Sequence, residues 1–423
     1  MTKQFRLSTM MFLQYALWGA WLPLTARYLS ATVAEGGLGF SGSQIGMILG
    51  LAGSIGALAA PFIAGQFADR YFSTEKFLGI LALLGGVLKW YTSMQTDYSV
   101  WLILSIAYSV VYMPTIALSN SITFTHIKDQ NNDFPKIRVW GTIGWIAASW
   151  VFPMIWLQSN LHFQLMPPFF VGAEVADVTH RLADALKFSG GISIVYAGFS
   201  FLLPHTPPKR DAVEKLAFKK AFQLFNKPSF TVLVIASLMI SIIHQIYFIQ
   251  TGPFLSFIGL KDSQIGPAMT IGQFAEILTL AYLGYFLKRL GFRNVLFIGI
   301  LAYFARYAIF SMEFLPVWVV VVSQAFHGFC FAFFFAAAFI YVDKITDEDI
   351  RHSAQTVFGI IILGGGPVIG GWLSGYLQEY FTENGHFDFY HFWEMLATIG
   401  LLTGIFFISL FREQISLEKQ EAS

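Results

Sequence analysis

Twelve apolar stretches follow one another along the chain, each long enough to cross a hydrocarbon layer about 30 Å thick as a helix. They cover 9–29, 43–66, 77–96, 99–124, 135–157, 188–204, 229–255, 264–287, 294–312, 315–341, 354–377 and 392–411, and are called spans one to twelve below. Inside a bilayer every backbone polar group must find its partner within the segment, so such a series is restricted to helices. The expected fold class is therefore an all-α polytopic membrane protein. Composition agrees: only 12% of the 423 residues are charged and mean hydropathy is +0.60, against roughly a quarter charged in soluble domains. A soluble enzyme is excluded. The net charge of +1 leaves no basic surplus for a nucleic acid. The one cysteine, Cys330, lies among apolar neighbours and reads as packing. MTKQFRLSTMMF runs into span one without a small-residue cleavage site, so that span is expected to be retained.

Positive residues concentrate in cytoplasmic loops. With the N-terminus inside, all but six of the 26 Lys and Arg fall on the inner side; the exceptions are Arg27, Lys89, Arg181, Lys187, Lys261 and Arg306. Both termini are thus expected in the cytoplasm. Lys89 and Arg306 lie within the outer halves of spans three and nine, where a long basic side chain is expected to snorkel to the interface. Loop 159–187, with the helix-compatible stretch AEVADVTHRLADALKF, would then lie outside, where it could cross the mouth.

The pattern breaks once, at HTPPKRDAVEKLAFKKAFQLFNK (205–227), giving a six-helix half at 1–204, a cytoplasmic linker at 205–227 and a second half at 228–423. The halves repeat. GQFADRYFSTEKFLGILALLGGVLKWYTSM from Gly65 aligns with GYFLKRLGFRNVLFIGILAYFARYAIFSM from Gly284, each with Arg five positions on (Arg70, Arg289), then Gly-Ile-Leu-Ala, then a lone base within the span. Two related halves are the architecture of a transporter. No G-x-x-x-x-G-K-[ST] string offers ATP as the energy source, and no H-E-x-x-H pattern offers a metal site, so no cofactor is expected.

Among the acidic residues only Glu276 lies near the middle of a span, with Gln273 three residues earlier on the same face. An ionisable group at that depth marks function by default, although a structural ion pair would use it equally. In span five Arg138, Thr142 and Trp145 fall at i, i+4 and i+7, placing a base, a hydroxyl and an aromatic ring on one face. Asp133 could cap that helix and Pro135 occupy its first turn. Arg138 could instead snorkel to the interface. Gln14 and Trp18 share a face of span one, and His327 and Phe331 one of span ten with Gln324 a turn below. His327 could equally be a packing histidine, and Trp18 a packed ring. Glycines at 46, 50 and 53 in span two and at 364, 365, 366, 370, 371 and 375 in span eleven permit close helix contacts, and Pro367 suggests a kink.

The G-x-x-x-D-R pattern at Gly65, Asp69 and Arg70 resembles the loop signature of the major facilitator superfamily; Lys288 replaces the acid in the second copy. FLQYALWGAWL (12–22), YMPTIALSN (112–120), DFPKIRVWGTIGW (133–145), LPHTPP (203–208), GQFAE (272–276) and RHSAQ (351–355) resemble the bacterial nucleoside:proton symporters. That resemblance implies the major facilitator fold and uptake of a nucleoside with protons across the bacterial inner membrane, the chain acting as a monomer among lipid. It assigns substrate contacts to Gln245, Gln273 and Glu276, with Arg138 as charge partner; helical spacing, independently of the resemblance, makes Thr142 a candidate hydroxyl contact and Trp145, His327 and Phe331 candidate cavity walls. Glu276 becomes the proton-coupling candidate. The sequence departs from the family pattern at Phe248, His327 and Ala332, where an amide, a tyrosine and an acid are expected. A facilitator for another small polar solute, such as a sugar or aromatic acid, and a non-transporting receptor are the alternative classes.

Overall fold

Each of the twelve apolar stretches is mainly helical over its described residues in the computed structural model, which describes residues 2–63, 72–207, 223–346 and 351–413. The G-x-x-x-D-R pattern at 65–70 and most of the linker lie outside the described residues. Among the described residues eight helices are long and apolar enough to cross a membrane by themselves. Of the remaining spans, span one is broken, span three is a continuous helix of 19 residues that carries Glu75, Lys76 and Lys89, and span six is a helix of 17 residues. Span one is broken into Lys3–Gly19 and Leu22–Ser30, the second piece opening with Pro23 in its first turn. Spans eight and nine form one run, Asp262–Phe310, turned at Gly291, whose φ of 73° suits a residue without a Cβ. The interval 288–293, expected as a loop, is thus absorbed into helix on both sides of one glycine.

The helix of span five starts earlier than the sequence suggested, at Gln130, so Asp133 lies in its first turn rather than at the cap. Its Oδ2 accepts the backbone N–H of Asp129, 3.3 Å away. Spans two, ten and eleven each contain a wider turn of i→i+5 type, at Met47–Leu51, Cys330–Ala336 and Ile360–Gly365. Such turns recur at functional positions. Pro367 follows the last of them within the same continuous helix, where its missing N–H removes an intrahelical bond, and Ser241 Oγ donates to the Ile362 carbonyl nearby at 2.6 Å.

Within loop 159–187 the helix-compatible stretch is helical over Val178–Arg181 and from Asp184 on, and a hairpin precedes it. The hairpin is antiparallel, Gln158–Gln164 with Phe169–Glu174. Phe163 and Phe170 pair across the hairpin, an edge-to-face contact that favours the ribbon over a helix.

The chain forms two compact units. Unit one comprises Met1–Val213, Tyr247–Thr270 and Gly371–Tyr376; unit two comprises Glu214–Ile246, Ile271–Gly370 and Leu377–Ser423. In unit one, spans one and five touch backbone to backbone. A Cβ on Gly19 would stand 2.6 Å from the Trp145 carbonyl oxygen, and one on Gly144 would run into the Phe12 carbonyl. Small residues at such crossings are how helices associate where lipid removes the hydrophobic drive. Polar side chains then join neighbouring helices: Gln14 Nε2 donates to Thr115 Oγ1 at 2.8 Å, and Tyr112 Oη to the Gln14 carbonyl at 3.1 Å.

Lys89 does not snorkel. Its side chain is buried, with Nζ 3.2 Å from the centroid of Trp21 and 4.0 Å from that of Tyr108. Two ring faces replace water around the ammonium, a cation–π arrangement that strengthens when desolvated.

Candidate functional site

Unit one presents a face built by spans one and five. Arg138, Thr142 and Trp145 lie on one continuous helix and are each half-buried, as the spacing required. Span one supplies the opposing rings. Arg138 Cζ lies 4.1 Å from the centroid of Tyr15, and Trp18 meets Trp145 and Tyr112 edge-on, both at 5.5 Å. Among the described residues no acceptor takes an N–H of Arg138. A half-buried guanidinium with five donors and only a ring beneath it is ready for an acceptor from a ligand.

Unit two carries the remaining candidates. Gln273 is buried, and among the described residues its Oε1 has no hydrogen-bond partner. A buried amide oxygen left open costs free energy unless something donates to it. Glu276, one turn further along the same helix, is half-buried. Gln245 lies beneath span eleven, where a Cβ on Gly370 would be 2.8 Å from its Cβ. Phe331 is in the wide turn of span ten and contacts Phe335.

His327 is held in a buried polar cluster. Arg306 Nη1 donates to its Nδ1 at 3.1 Å, which places the proton of the neutral ring on Nε2, and Arg306 Nη2 reaches Tyr307 Oη at 3.3 Å. The ring stacks on His244 at 5.5 Å and 18°, and His244 Nδ1 is hydrogen-bonded to Tyr303 Oη at 2.8 Å. Arg306, expected to snorkel like Lys89, is fully buried instead. His327 from span ten and the neighbouring Tyr307 of its own helix hold it there.

The structure therefore gathers Arg138, Thr142 and Trp145 in unit one, and carries Gln245, Gln273, Glu276, His327 and Phe331 in unit two. It adds two residues that sequence reasoning passed over. Tyr15 lies three residues before Trp18, on the same helical face, and that spacing was the available signal. His244 neighbours Gln245 and so seemed to face elsewhere, yet it backs His327.

A family model described as nucleoside H+ symporter matches residues 1–416. The chain belongs to the nucleoside H+ symporter family. Among its relatives, the putative nucleoside transporter YegT of Escherichia coli is 31% identical, over 96% of this chain and 93% of that protein. The nucleoside permease NupG of Escherichia coli is 29% identical, with 97% and 96% covered. The crystal structure of NupG superimposes with a TM-score of 0.82 at 28% identity, covering 98% of this chain and all of that one. A D-xylose-proton symporter structure, at 12% identity and a TM-score of 0.73, shares the fold. Twelve helical spans and these matches place the symporter in the major facilitator fold, a multi-pass protein of the inner membrane.

Proposed function

We propose that this chain takes up nucleosides together with protons across the inner membrane by alternating access, with both termini in the cytoplasm. The observation that carries the reading is the family match over nearly the whole chain, and the open donors of Arg138 and open acceptor of Gln273 suit a ligand with hydroxyls and a heterocyclic base. Ribose hydroxyls both donate and accept, so they can satisfy an amide oxygen and a guanidinium alike. Thr142 and Gln245 supply further polar contacts, and Trp145, Phe331 and His327 offer walls for the base. The working unit is the monomer, with six-helix halves 1–204 and 228–423 joined by the linker 205–227.

Glu276 is the proton-coupling candidate. A neutral glutamic acid passes through a low-dielectric transition far more easily than an ionised one, so protonation would license the change of access. The same carboxylate would repel a phosphate, which separates nucleosides from their monophosphates.

The test is uptake by the purified protein in proteoliposomes, with labelled uridine, adenosine, xylose and phenylpropionate offered in turn, with and without an inward proton gradient. Nucleosides alone should accumulate above equilibrium, and unlabelled nucleosides but not their monophosphates should compete. Accumulation of the sugar or the aromatic acid in place of nucleosides would favour the other-solute reading. Protease access to a C-terminal tag in sealed right-side-out vesicles, which should be absent, tests the orientation.

A further inference from the structure

Recognition by a guanidinium depends on where its donors point, and Arg138 receives no direction from a carboxylate. Arginines that bind ligands are commonly oriented by an acid. Among the described residues this one has no ion pair, and what touches its charged end is the face of Tyr15, 4.1 Å from Cζ. A ring face holds a guanidinium by cation–π attraction and leaves the N–H edges free, which a carboxylate would not.

The backbone around the pair is shaped for it. A Cβ on Gly141 would come 2.6 Å from Tyr15 Cδ2 and 2.8 Å from Arg138 Nη1, so only glycine leaves room for both groups. One turn of the crossing further on, Gly144 lets the Phe12 backbone into contact with span five. Two glycines thus bring span one close enough for its ring to lie under a guanidinium carried by span five.

We propose that Tyr15 is a positioning residue for substrate recognition: its ring holds the Arg138 guanidinium so that the free N–H edges meet the nucleoside. This rests on the reading of Arg138 as a substrate contact. The ring carries the role and the hydroxyl does not, so Tyr15→Phe should behave as wild type.

A double-mutant cycle on labelled uridine uptake in proteoliposomes tests it, with thermal unfolding in detergent as the check on folding. Tyr15→Leu should raise KM about 5–20-fold with Vmax per folded protein nearly kept, as expected for losing a desolvated cation–π contact. Tyr15→Phe should restore wild-type KM. In an Arg138→Ala background Tyr15→Leu should add nothing, because the group it positions is gone. Gly141→Ala reaches the same contact from the backbone and should raise KM even if Tyr15→Leu fails to fold. Full additivity of the two substitutions, or wild-type KM in both Tyr15→Leu and Gly141→Ala while Arg138→Ala is impaired, would overturn the positioning role. Wild-type KM in Arg138→Ala would instead remove Arg138 as a substrate contact, and this role with it.

Discussion

Arg27 Nε donates to Asp262 Oδ1 at 2.9 Å, tying the end of span one to the first turn of span eight across 235 residues of sequence. Asp262 also accepts from Thr179 Oγ1 at 3.1 Å, and Arg27 lies 3.8 Å from Glu35. Beside them the hairpin takes hold of the same helix start. Glu174 Oε1 accepts the Ser263 N–H at 2.8 Å, where the helix macrodipole favours an anion, and Lys261 Nζ donates to the Gly172 carbonyl at 3.2 Å. The hairpin therefore fastens the first turn of the helix that carries Gln273 and Glu276. These contacts lie within unit one and explain why Tyr247–Thr270 belongs to it although it comes from the second half of the sequence.

Alternating access requires the two ends of the path to open in turn, and the Arg27–Asp262 pair is expected to hold this one when it closes. Asp262→Asn removes the charge that Arg27 faces and should weaken the closed arrangement by about 1–3 kcal/mol. The readout is a cysteine placed at Gln250, buried against Ser374 at 3.0 Å, in a Cys330→Ser background. A membrane-impermeant maleimide should label it several-fold faster in the Asp262→Asn protein. An unchanged rate would show that the ion pair does not hold this end.

Spans two and eleven meet here as well. A Cβ on Gly46 would run into the Gly371 carbonyl, and one on Gly371 into the Gly46 carbonyl. Gly46→Ala should therefore separate the two backbones and lower the melting temperature in detergent, at a cost of about 1–3 kcal/mol, whereas Gly53→Ala should not, because nothing lies within 4 Å of its added methyl. Equal effects of the two would argue against a contact-specific cause.

The acid dependence of stability should show at the other end of unit one. Glu75, ahead of the apolar stretch of span three, is buried, which pushes its pKa up; hydrogen bonds from His205 Nδ1 at 2.9 Å and the Thr206 N–H at 3.0 Å outweigh burial and hold it below the usual value. A carboxylate whose folded pKa is depressed contributes its stability in full above the unfolded value, about 4.3 for Glu, and loses it as pH falls through the folded value. Melting of wild type and Glu75→Gln should thus differ at pH 6 and converge below about pH 4. A difference that persists unchanged into acid would point to shape rather than charge.

Much of this was legible in the chain because membrane spans announce themselves by length and apolarity alone. The shared helix of Gln273 and Glu276 followed from counting residues, and that of Arg138, Thr142 and Trp145 from helical period. The fates of Lys89 and Arg306 did not follow. Snorkelling and burial start from the same position in a span, and the choice falls to groups brought in by other helices, the rings of Trp21 and Tyr108 for Lys89 and the imidazole of His327 for Arg306. The hairpin was hidden for a similar reason. Its two strands are short, the first mostly polar and the second mostly apolar, and much of their order comes from pairing with each other and with the start of span eight.

Gln273 gives the sharpest test of the polar contacts, because its Oε1 is buried without a donor among the described residues. In the absence of substrate, Gln273→Leu should leave thermal stability unchanged or raise it slightly, since an unsatisfied polar atom is removed. Nucleoside affinity should fall by about 1–3 kcal/mol as the ligand's own donor loses its acceptor. Isothermal titration of the purified protein beside its melting curve reads both. Wild-type affinity with lowered stability would make Gln273 a structural residue.

The proposed coupling role of Glu276 is tested by removing its charge. Replacement by Gln fixes the neutral form, so the variant should change access with or without a proton and exchange nucleoside across a vesicle membrane near the wild-type rate. Accumulation driven by an imposed pH gradient should disappear, because no proton need bind or leave for the cycle to turn. A residue that only binds ribose would behave otherwise: Gln would weaken affinity, and gradient-driven accumulation would survive at saturating nucleoside. His327, stacked on His244 and hydrogen-bonded to Arg306, is the alternative titratable group among the candidate residues of unit two. Should Glu276→Gln keep its accumulation, His327→Gln becomes the decisive variant, and loss of gradient-driven uptake there with exchange intact would move the coupling proton from the carboxylate to the imidazole that Arg306 orients.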